Sequence, residues 1–340
     1  MESIKATVYE NFGGTNSLAP EEESFSLDQV PDLSGKVAIV TGGSQGIGYG
    51  CTRTLLEHNV SKVFIISQSE DVVTDATSSI REELGDAASA KVQWKKCNLG
   101  DWKAVLQTAD EIKTSTDRID VLINNAARGI MTAQITPYGV DEHMAINHFG
   151  HVILTSSLLP TMKDTAQSGH TVRIVNLGSN AHQAAPKGTE FASLDEINKD
   201  LGPNGQYGRS KLAAMLHARY LATHVTAQHP RILANSVHPG FVDTKASTLD
   251  IHEAYPLGGY MMSVAMKPFQ KSQLEGCVSA MYAATATERS GKYICVPARI
   301  EDGSELAQSN ELAEQLMRLT GDVLKEKLEP AGIRYPLEFY

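Results

Sequence analysis

Tyr207 and Lys211 stand four residues apart in Tyr207-Gly208-Arg209-Ser210-Lys211, a spacing that puts a phenol and an ammonium on one face of a helix. Among the 11 tyrosines, only Tyr207 has a lysine four positions later. Free tyrosine titrates at about 10 and is a poor base at neutral pH. A nearby cation favours the phenolate and lowers that value. Tyr207 would then exchange a proton with an alcohol or carbonyl oxygen while hydride moves to or from a nicotinamide. A surface Tyr–Lys neighbour has the same spacing, so placement in the chain decides. The pair is expected to open a helix soon after the apolar run Val172–Leu177, with Ser179 following that run. The Ser179 hydroxyl suits the same substrate oxygen. Asn147 falls within a helical stretch, Glu142–Leu159, where a buried amide needs partners and is suited to holding a water.

A second constellation is Thr41-Gly42-Gly43-Ser44-Gln45-Gly46-Ile47-Gly48, directly after the short apolar run Lys36–Thr41 and before a helical segment. Glycines 42, 46 and 48 let a strand turn tightly into a helix. Free N–H groups and the positive helix end then point at a pyrophosphate. A bare glycine-rich turn is the alternative, and the strand–turn–helix context favours the phosphate loop. The loop lacks the Gly-Lys-Ser/Thr of a Walker A motif.

Both constellations need a sheet to hold them. Continuous apolar runs recur at Lys36–Thr41, Lys62–Ser67, Lys91–Cys97, Asp120–Asn124, Val172–Leu177, Ile232–Val237 and Gly291–Val296. Such runs suit strands buried on both faces. Segments with helical texture lie between most of them, roughly 46–58, 70–85, 101–115, 139–162, 207–227 and 271–286. The alternation predicts a single-domain α/β Rossmann fold: a doubly wound sheet of about seven parallel strands, with helices on both faces. The expected organisation is a polar extension over 1–34, the main domain over 35–303, and a C-terminal helix and tail over 304–340. Two long stretches, 180–206 and 241–270, read as substrate-side insertions or lids.

Composition narrows the function. Thirty Lys and Arg against 40 Asp and Glu give a net charge of −10, which argues against a duplex nucleic-acid binder. At 41% hydrophobic and 21% charged, the chain of 340 residues can build an ordinary core. Cys51, Cys97, Cys277 and Cys295 form no CxxC pair, so neither a disulfide framework nor a zinc ribbon is expected. No run of 18 apolar residues and no hydrophobic signal core occurs, and the expectation is a cytoplasmic protein without a transmembrane segment. His143, His148 and His151 lie on one helix, and the last two could just share a face toward a metal; no metal site is expected. Met261, Met262 and Met266 suit either an apolar pocket or core filling.

Taken together, these residues resemble the short-chain dehydrogenase/reductase family over about 35–300. The stretch Asp32–Gly42 is similar to that family's first strand and turn. Asn124-Asn125-Ala126-Ala127 resembles its Asn-Asn-Ala-Gly motif, and His143–His151 followed by Leu154-Thr155 is similar to the helix bearing its catalytic asparagine. His238-Pro239-Gly240-Phe241-Val242-Asp243-Thr244 resembles the segment that closes over the nicotinamide. The long insertion before Tyr207 and the His-rich helix look most like the retinol-dehydrogenase and WW-domain-oxidoreductase branch. The resemblance implies a tetrad of Asn147, Ser179, Tyr207 and Lys211. Tyr207 would be the general acid/base, Lys211 would hold the nicotinamide ribose and tune it, Ser179 would orient the carbonyl, and Asn147 would anchor a relay water. It also implies cofactor contacts from Gly42, Ser44, Gln45, Gly46, Ile47, Gly48, Gln68, Asn98, Leu99, Asn125, Ala126, Ala127, Pro239, Gly240, Val242 and Thr244, besides Tyr207 and Lys211. Two positions depart from the pattern: Ala127 stands where the family has glycine, and Gly178 where a serine often precedes the catalytic one.

After the second strand comes Ser67-Gln68-Ser69, without the acid that pairs with the adenosine ribose in NAD enzymes. That favours NADP(H) over NAD(H), although Gln45 and Gln68 occupy positions often basic in NADP-dependent relatives. The expected activity is an oxidoreductase acting on CH–OH or C=O of a fairly large apolar small molecule, a ketoreductase or alcohol dehydrogenase of secondary metabolism. Two other readings stand beside it: a dinucleotide sensor or scaffold without turnover, and a relative repurposed for non-redox cyclisation or dehydration. The family's frequent dimers and tetramers, formed through helices near Asn147 and Tyr207, make a homodimer or homotetramer an expectation here.

Overall fold

The apolar runs become an eight-stranded sheet in the computed structural model, which describes residues 24–240 and 273–329. The strands are β1 Val37–Thr41, β2 Lys62–Ser67, β3 Val92–Lys96, β4 Val121–Asn124, β5 Val172–Leu177, β6 Ile232–His238, β7 Tyr293–Cys295 and β8 Arg299–Glu301. Their order is β3-β2-β1-β4-β5-β6-β7-β8, and β1 to β7 run parallel. The β8 strand pairs antiparallel with β7 and extends the seven expected from sequence. It is three residues long, with Ile300 its one apolar side chain between Arg299 and Glu301, so it lacks the apolar run by which the others announce themselves.

The helices are α1 Gly46–Glu57, α2 Glu70–Leu84, α3 Asp86–Ser89, α4 Trp102–Ser115, α5 Glu142–Met144, α6 His151–Gln167, α7 Leu194–Asn198, α8 Gly202–Leu221, α9 Gln273–Thr285, α10 Glu305–Gln308 and α11 Asn310–Leu328. Two apolar cores cover the sheet's faces. One joins α4, α6, α8 and α11 around Trp102, Phe149 and Leu216; the other joins α1, α2 and α9 around Leu55, Ile65 and Met281. The end of the N-terminal extension belongs to the second core. Phe25, Val30 and Leu33 are buried there, and Phe25 meets Tyr282 edge-on at 5.3 Å between ring centroids.

Sheet order reverses between β1 and β4, so their carboxyl ends flank the crevice where a doubly wound fold binds its ligand. The stretch 180–206 is built rather than irregular. It contains a 3-10 turn, Asn180–Ala184, and α7. Glu196 accepts the N–H groups of Glu190, Phe191 and Ala192 at 2.9, 3.1 and 2.7 Å. Arg209, itself buried on α8, donates to the carbonyls of Glu196 and Ile197. The chain over 304–328 is two helices rather than one, because Ser309 breaks the run and caps α11 through Leu312 N. The stretch 241–270, with Met261, Met262 and Met266, lies outside the described residues.

Candidate active site

The glycine turn after β1 has the backbone that the spacing required. Gly42 and Gly46 adopt φ +63° and +55°, which side-chain-bearing residues rarely do. Gly48 is required by contact: a Cβ there would lie 2.1 Å from the Gly42 carbonyl oxygen and 2.6 Å from Asn125 Nδ2. The start of α1 therefore nests against the end of β1, where the free N–H groups of a helix start suit an anion. Ser44 Oγ donates to Ser67 Oγ at 3.2 Å and ties the loop to the end of β2. Gln45 and Gln68 are exposed there, and Ile47 is partly buried. Lys96, which sequence reasoning passed over, is exposed at the end of β3 and sits opposite Ser67 in the sheet register.

Thr41 organises the end of β1. Its Oγ1 accepts the N–H groups of Asn125 and Ala126 at 2.8 and 2.9 Å. With both lone pairs used, its own hydrogen goes to His151 Nε2 at 2.9 Å. His151 therefore carries its hydrogen on Nδ1 and donates it to the Asn147 carbonyl at 3.2 Å. Burial pushes this imidazole down to about 4, so it is neutral. Asn125 spends its amide on the carbonyls of Thr41 and Gly42 at 2.9 and 3.4 Å, bracing the phosphate loop. Ala127 is exposed and has no left-handed backbone, so its methyl is accommodated without strain. Asn98 is exposed, with Oδ1 on Gly100 N at 2.9 Å, and Leu99 is buried beside it.

Asn147 lies in a π-helical turn, Ala145–Gly150, between α5 and α6. Such turns interrupt helices at functional sites. Its side chain grips the strand-to-helix crossing: Oδ1 accepts Arg128 N at 2.7 Å, while Nδ2 donates to Arg128 O at 3.0 Å and Ser210 Oγ at 2.8 Å. Both amide hydrogens are thus committed to protein partners. The three histidines near it go separate ways: His143 contacts Gly129 O, His148 contacts Thr320 Oγ1, and His151 contacts Thr41. No cluster that could hold a metal occurs among the described residues.

Tyr207 does not open its helix; α8 begins upstream at Gly202, whose φ of +71° and following Pro203 start the first turn. The phenol therefore sits inside a formed helix. Next to it, Gly208 permits close packing: a Cβ there would meet Ala181 O at 2.6 Å. That approach brings the turn headed by Ser179 against the Tyr207 segment. Ser179 Oγ accepts Ala181 N at 3.1 Å as the turn's cap. His182 Nδ1 holds the Ser179 carbonyl at 2.6 Å, and its Nε2 accepts Ser304 N at 3.0 Å. At Gly178, a Cβ would press on Met215 Cγ at 3.1 Å, so this chain's glycine suits its own neighbour.

Lys211 is buried beneath Tyr207. Its Nζ donates to the Leu177 carbonyl at 2.8 Å and lies 5.4 Å from the Tyr207 ring centroid. Loss of hydration pushes the ammonium down to about 8. Pro239 and Gly240, with Gly240 at φ +77°, stand just past the end of β6. Val242 and Thr244 lie outside the described residues. Asn147, Ser179, Tyr207 and Lys211 thus come from the π turn, the end of β5 and α8, all at the carboxyl edge of the sheet beside the glycine turn.

Comparison with known proteins bears on the family and the fold. The short chain dehydrogenase family profile matches residues 36–193. A Neurospora crassa protein named as an oxidoreductase, bli-4, and as mitochondrial is 52% identical over 98% of this chain and 82% of its own length. A zebrafish (Danio rerio) polyprenol dehydrogenase is 30% identical over 86% of this chain and 84% of its own. The solved RhlG/NADP active-site complex of Pseudomonas aeruginosa shares the fold, with TM-score 0.60, 23% identity, and coverage of 78% of this chain and 96% of that one. The fold and these matches define a Rossmann oxidoreductase. The chain belongs to the short-chain dehydrogenase/reductase family.

Proposed function

We propose that the chain is an NADP(H)-dependent carbonyl reductase or alcohol dehydrogenase for a fairly large apolar small molecule, with Tyr207 as general acid/base. The observation that carries this reading is the buried Lys211 ammonium against the Tyr207 ring, at the edge where the glycine turn also opens. A bound nicotinamide would supply or accept the hydride. Residues of the α1 start, with Gly42, Gly46 and Gly48, fit its pyrophosphate, because Gly42 and Gly46 supply the left-handed turn and Gly48 lets the helix start pack directly on the Gly42 carbonyl. Lys211 has hydrogens beyond the one given to Leu177, which suits it to ribose hydroxyls. Tyr207 passes a proton to or from the substrate oxygen, and Ser179 holds that oxygen in place.

Lys96 supports NADP(H) over NAD(H). It offers a cation beside Ser67 and Gln68 at the end of β2, where the nearest acids in sequence, Glu70 and Asp71, come only with the first turn of α2. The polyprenol dehydrogenase relative supports an apolar alcohol or aldehyde as substrate class. No helix among the described residues is long and apolar enough to cross a membrane. The cytoplasmic placement stands as a proposal beside the mitochondrial name of the Neurospora relative, and cell fractionation decides between them. Oligomerisation through the helices of Asn147 and Tyr207 meets a competing fact: α11 already lies on α8, with Leu316, Val323 and Leu324 buried in the core shared with α6. A homodimer or homotetramer built on these helices would therefore use surface that α11 leaves open, and the mass in solution decides it.

The direct assay supplies NADPH or NADH with a panel of aldehydes and ketones, including decanal, and follows substrate mass. Gain of two hydrogens with oxidation of NADPH supports the reading. A product without a two-hydrogen change, or no turnover with tight NADPH binding, contradicts it in favour of non-redox chemistry or a sensor.

A further inference from the structure

Beneath Lys211 lies a small internal cavity lined by Asn124, Asn147, His151, Asn176, Lys211 and His217, among others. It has room for the centre of a water, about 10 Å³, which is the least that one water requires. Two of the residues that line it carry a buried polar atom with no protein partner: Asn124 Oδ1 and His217 Nε2.

Hydrogen-bond polarity shows what these two atoms present. Asn176 Nδ2 donates to the Ala214 carbonyl at 3.1 Å, and a carbonyl only accepts, so the orientation of this amide is fixed. Its remaining hydrogen points at His217 Nδ1, 3.2 Å away, and its Oδ1 receives Asn124 Nδ2 at 2.9 Å. Asn124 gives its second amide hydrogen to Thr155 Oγ1 at 3.0 Å. His217 Nδ1 is therefore an acceptor, and the neutral ring carries its hydrogen on Nε2. Burial pushes His217 down to about 3, which keeps it neutral at working pH. The cavity thus offers one acceptor, Asn124 Oδ1, one donor, His217 Nε2–H, and further donors on Lys211 Nζ beyond the one held by Leu177. A water satisfies all three sites at once: it donates to Asn124 and accepts from His217 and Lys211.

We infer that this cavity holds an ordered water pinned by Asn124 and His217, and that the water takes one Lys211 hydrogen, making His217 a positioning residue for the cation under Tyr207. The inference rests on the reading of Lys211 given above. His148 is the rival partner. Its Nε2 donates to Thr320 Oγ1, since Thr320 spends its own hydrogen on Leu316 O, and its Nδ1 is an unpartnered acceptor. The His148 and His217 rings meet edge-on at 6.0 Å between centroids.

The test has a crystallographic and a kinetic arm. A crystal structure showing ordered solvent should place a water within hydrogen-bond distance of Asn124 Oδ1, His217 Nε2 and Lys211 Nζ. His217→Phe should lose that density and His217→Gln, which keeps an N–H of similar reach, should regain it. With NADPH and decanal, His217→Phe should lower kcat about tenfold, as expected for one lost hydrogen bond to a charged group, at unchanged cofactor KM, with His217→Gln recovering most of it. His217→Phe also strips the Asn176 amide of its acceptor and lowers Tm, so each variant is assayed well below its own Tm. An empty cavity with His217 Nε2 bonded directly to His148 Nδ1 overturns the inference, as does full turnover by His217→Phe. The crystallographic arm needs no substrate. Water present in both wild type and Tyr207→Phe, with turnover by both, would preserve the pinned water while removing the acid/base reading.

Discussion

The Lys211 ammonium lies 5.4 Å from the centroid of the Tyr207 ring and hangs from the Leu177 carbonyl at the end of β5. A helix turn sets the first distance and the parallel sheet sets the second, so the pair is locked between two elements. The cation sits there at a cost, because it is buried without a carboxylate among the ion pairs of the described residues.

That cost is measurable. Burial lowers the ammonium from 10.5 to about 8, so between those values the unfolded chain binds a proton that the folded chain does not. Wild-type stability should rise over that window, and below it the buried charge costs about 3 kcal/mol. Lys211→Met should abolish turnover yet unfold at higher urea than wild type at pH 7. The advantage should shrink as pH climbs from 8 to 10.5. A Met variant less stable than wild type at pH 7 would contradict it.

The phosphate loop should fail by sterics. Gly48→Ala puts a methyl 2.1 Å from the Gly42 carbonyl, which the backbone must move to accept. NADPH affinity, followed by quenching of protein fluorescence, should fall by more than about tenfold, with a destabilisation of about 1–3 kcal/mol for the overpacked contact. Wild-type affinity in Gly48→Ala would show that the loop does not meet the cofactor.

Acid should unfold the protein through its histidines. His151 and His217 are held neutral, with values near 4 and 3 against an ordinary 6.5. As pH falls from 7 to 5, the unfolded chain gains protons that the folded chain refuses. Each site should remove about 2 kcal/mol of stability. Urea denaturation at the two pH values checks this: His151→Gln should lose about 2 kcal/mol less than wild type between them. An equal loss in both proteins would mean that His151 does not stay neutral.

Cofactor choice should respond to Lys96. Lys96→Glu places an acid beside Ser67 and should raise the KM for NADPH about tenfold, while the KM for NADH stays the same or falls. Parallel changes for the two cofactors would remove Lys96 from the 2′-phosphate site.

Much of this was legible before any coordinates. The inner strands of a parallel sheet are buried on both faces, so they show as plain apolar runs, whereas edge strand β3 is partly exposed and mixed in composition; Gly42, Gly46 and Gly48 declare a turn that only glycine makes. Helix spacing alone put Tyr207 and Lys211 on one face, while Asn147 and Ser179 entered the proposed tetrad through the family resemblance. Contact-dependent features were hidden. The role of Gly208, the bracing by Asn125, and the polarity running from Asn124 through Asn176 to His217 depend on neighbours far apart in sequence. The early start of α8 was obscured by Gly202, Pro203 and Gly205, which read as a loop until Pro203 is seen at the first turn. Short polar β8 carries no pattern at all, and Lys96 gains meaning only from its register opposite Ser67.

The central claim is that the Tyr207 hydroxyl moves the proton. The most direct measurement is the rate of NADPH oxidation with the best carbonyl of the panel, in wild type and in Tyr207→Phe at matched Tm and NADPH affinity. The account predicts a fall in kcat of about 10²–10⁴ in the variant, the usual worth of a positioned acid/base. Turnover by Tyr207→Phe at the wild-type rate would contradict it.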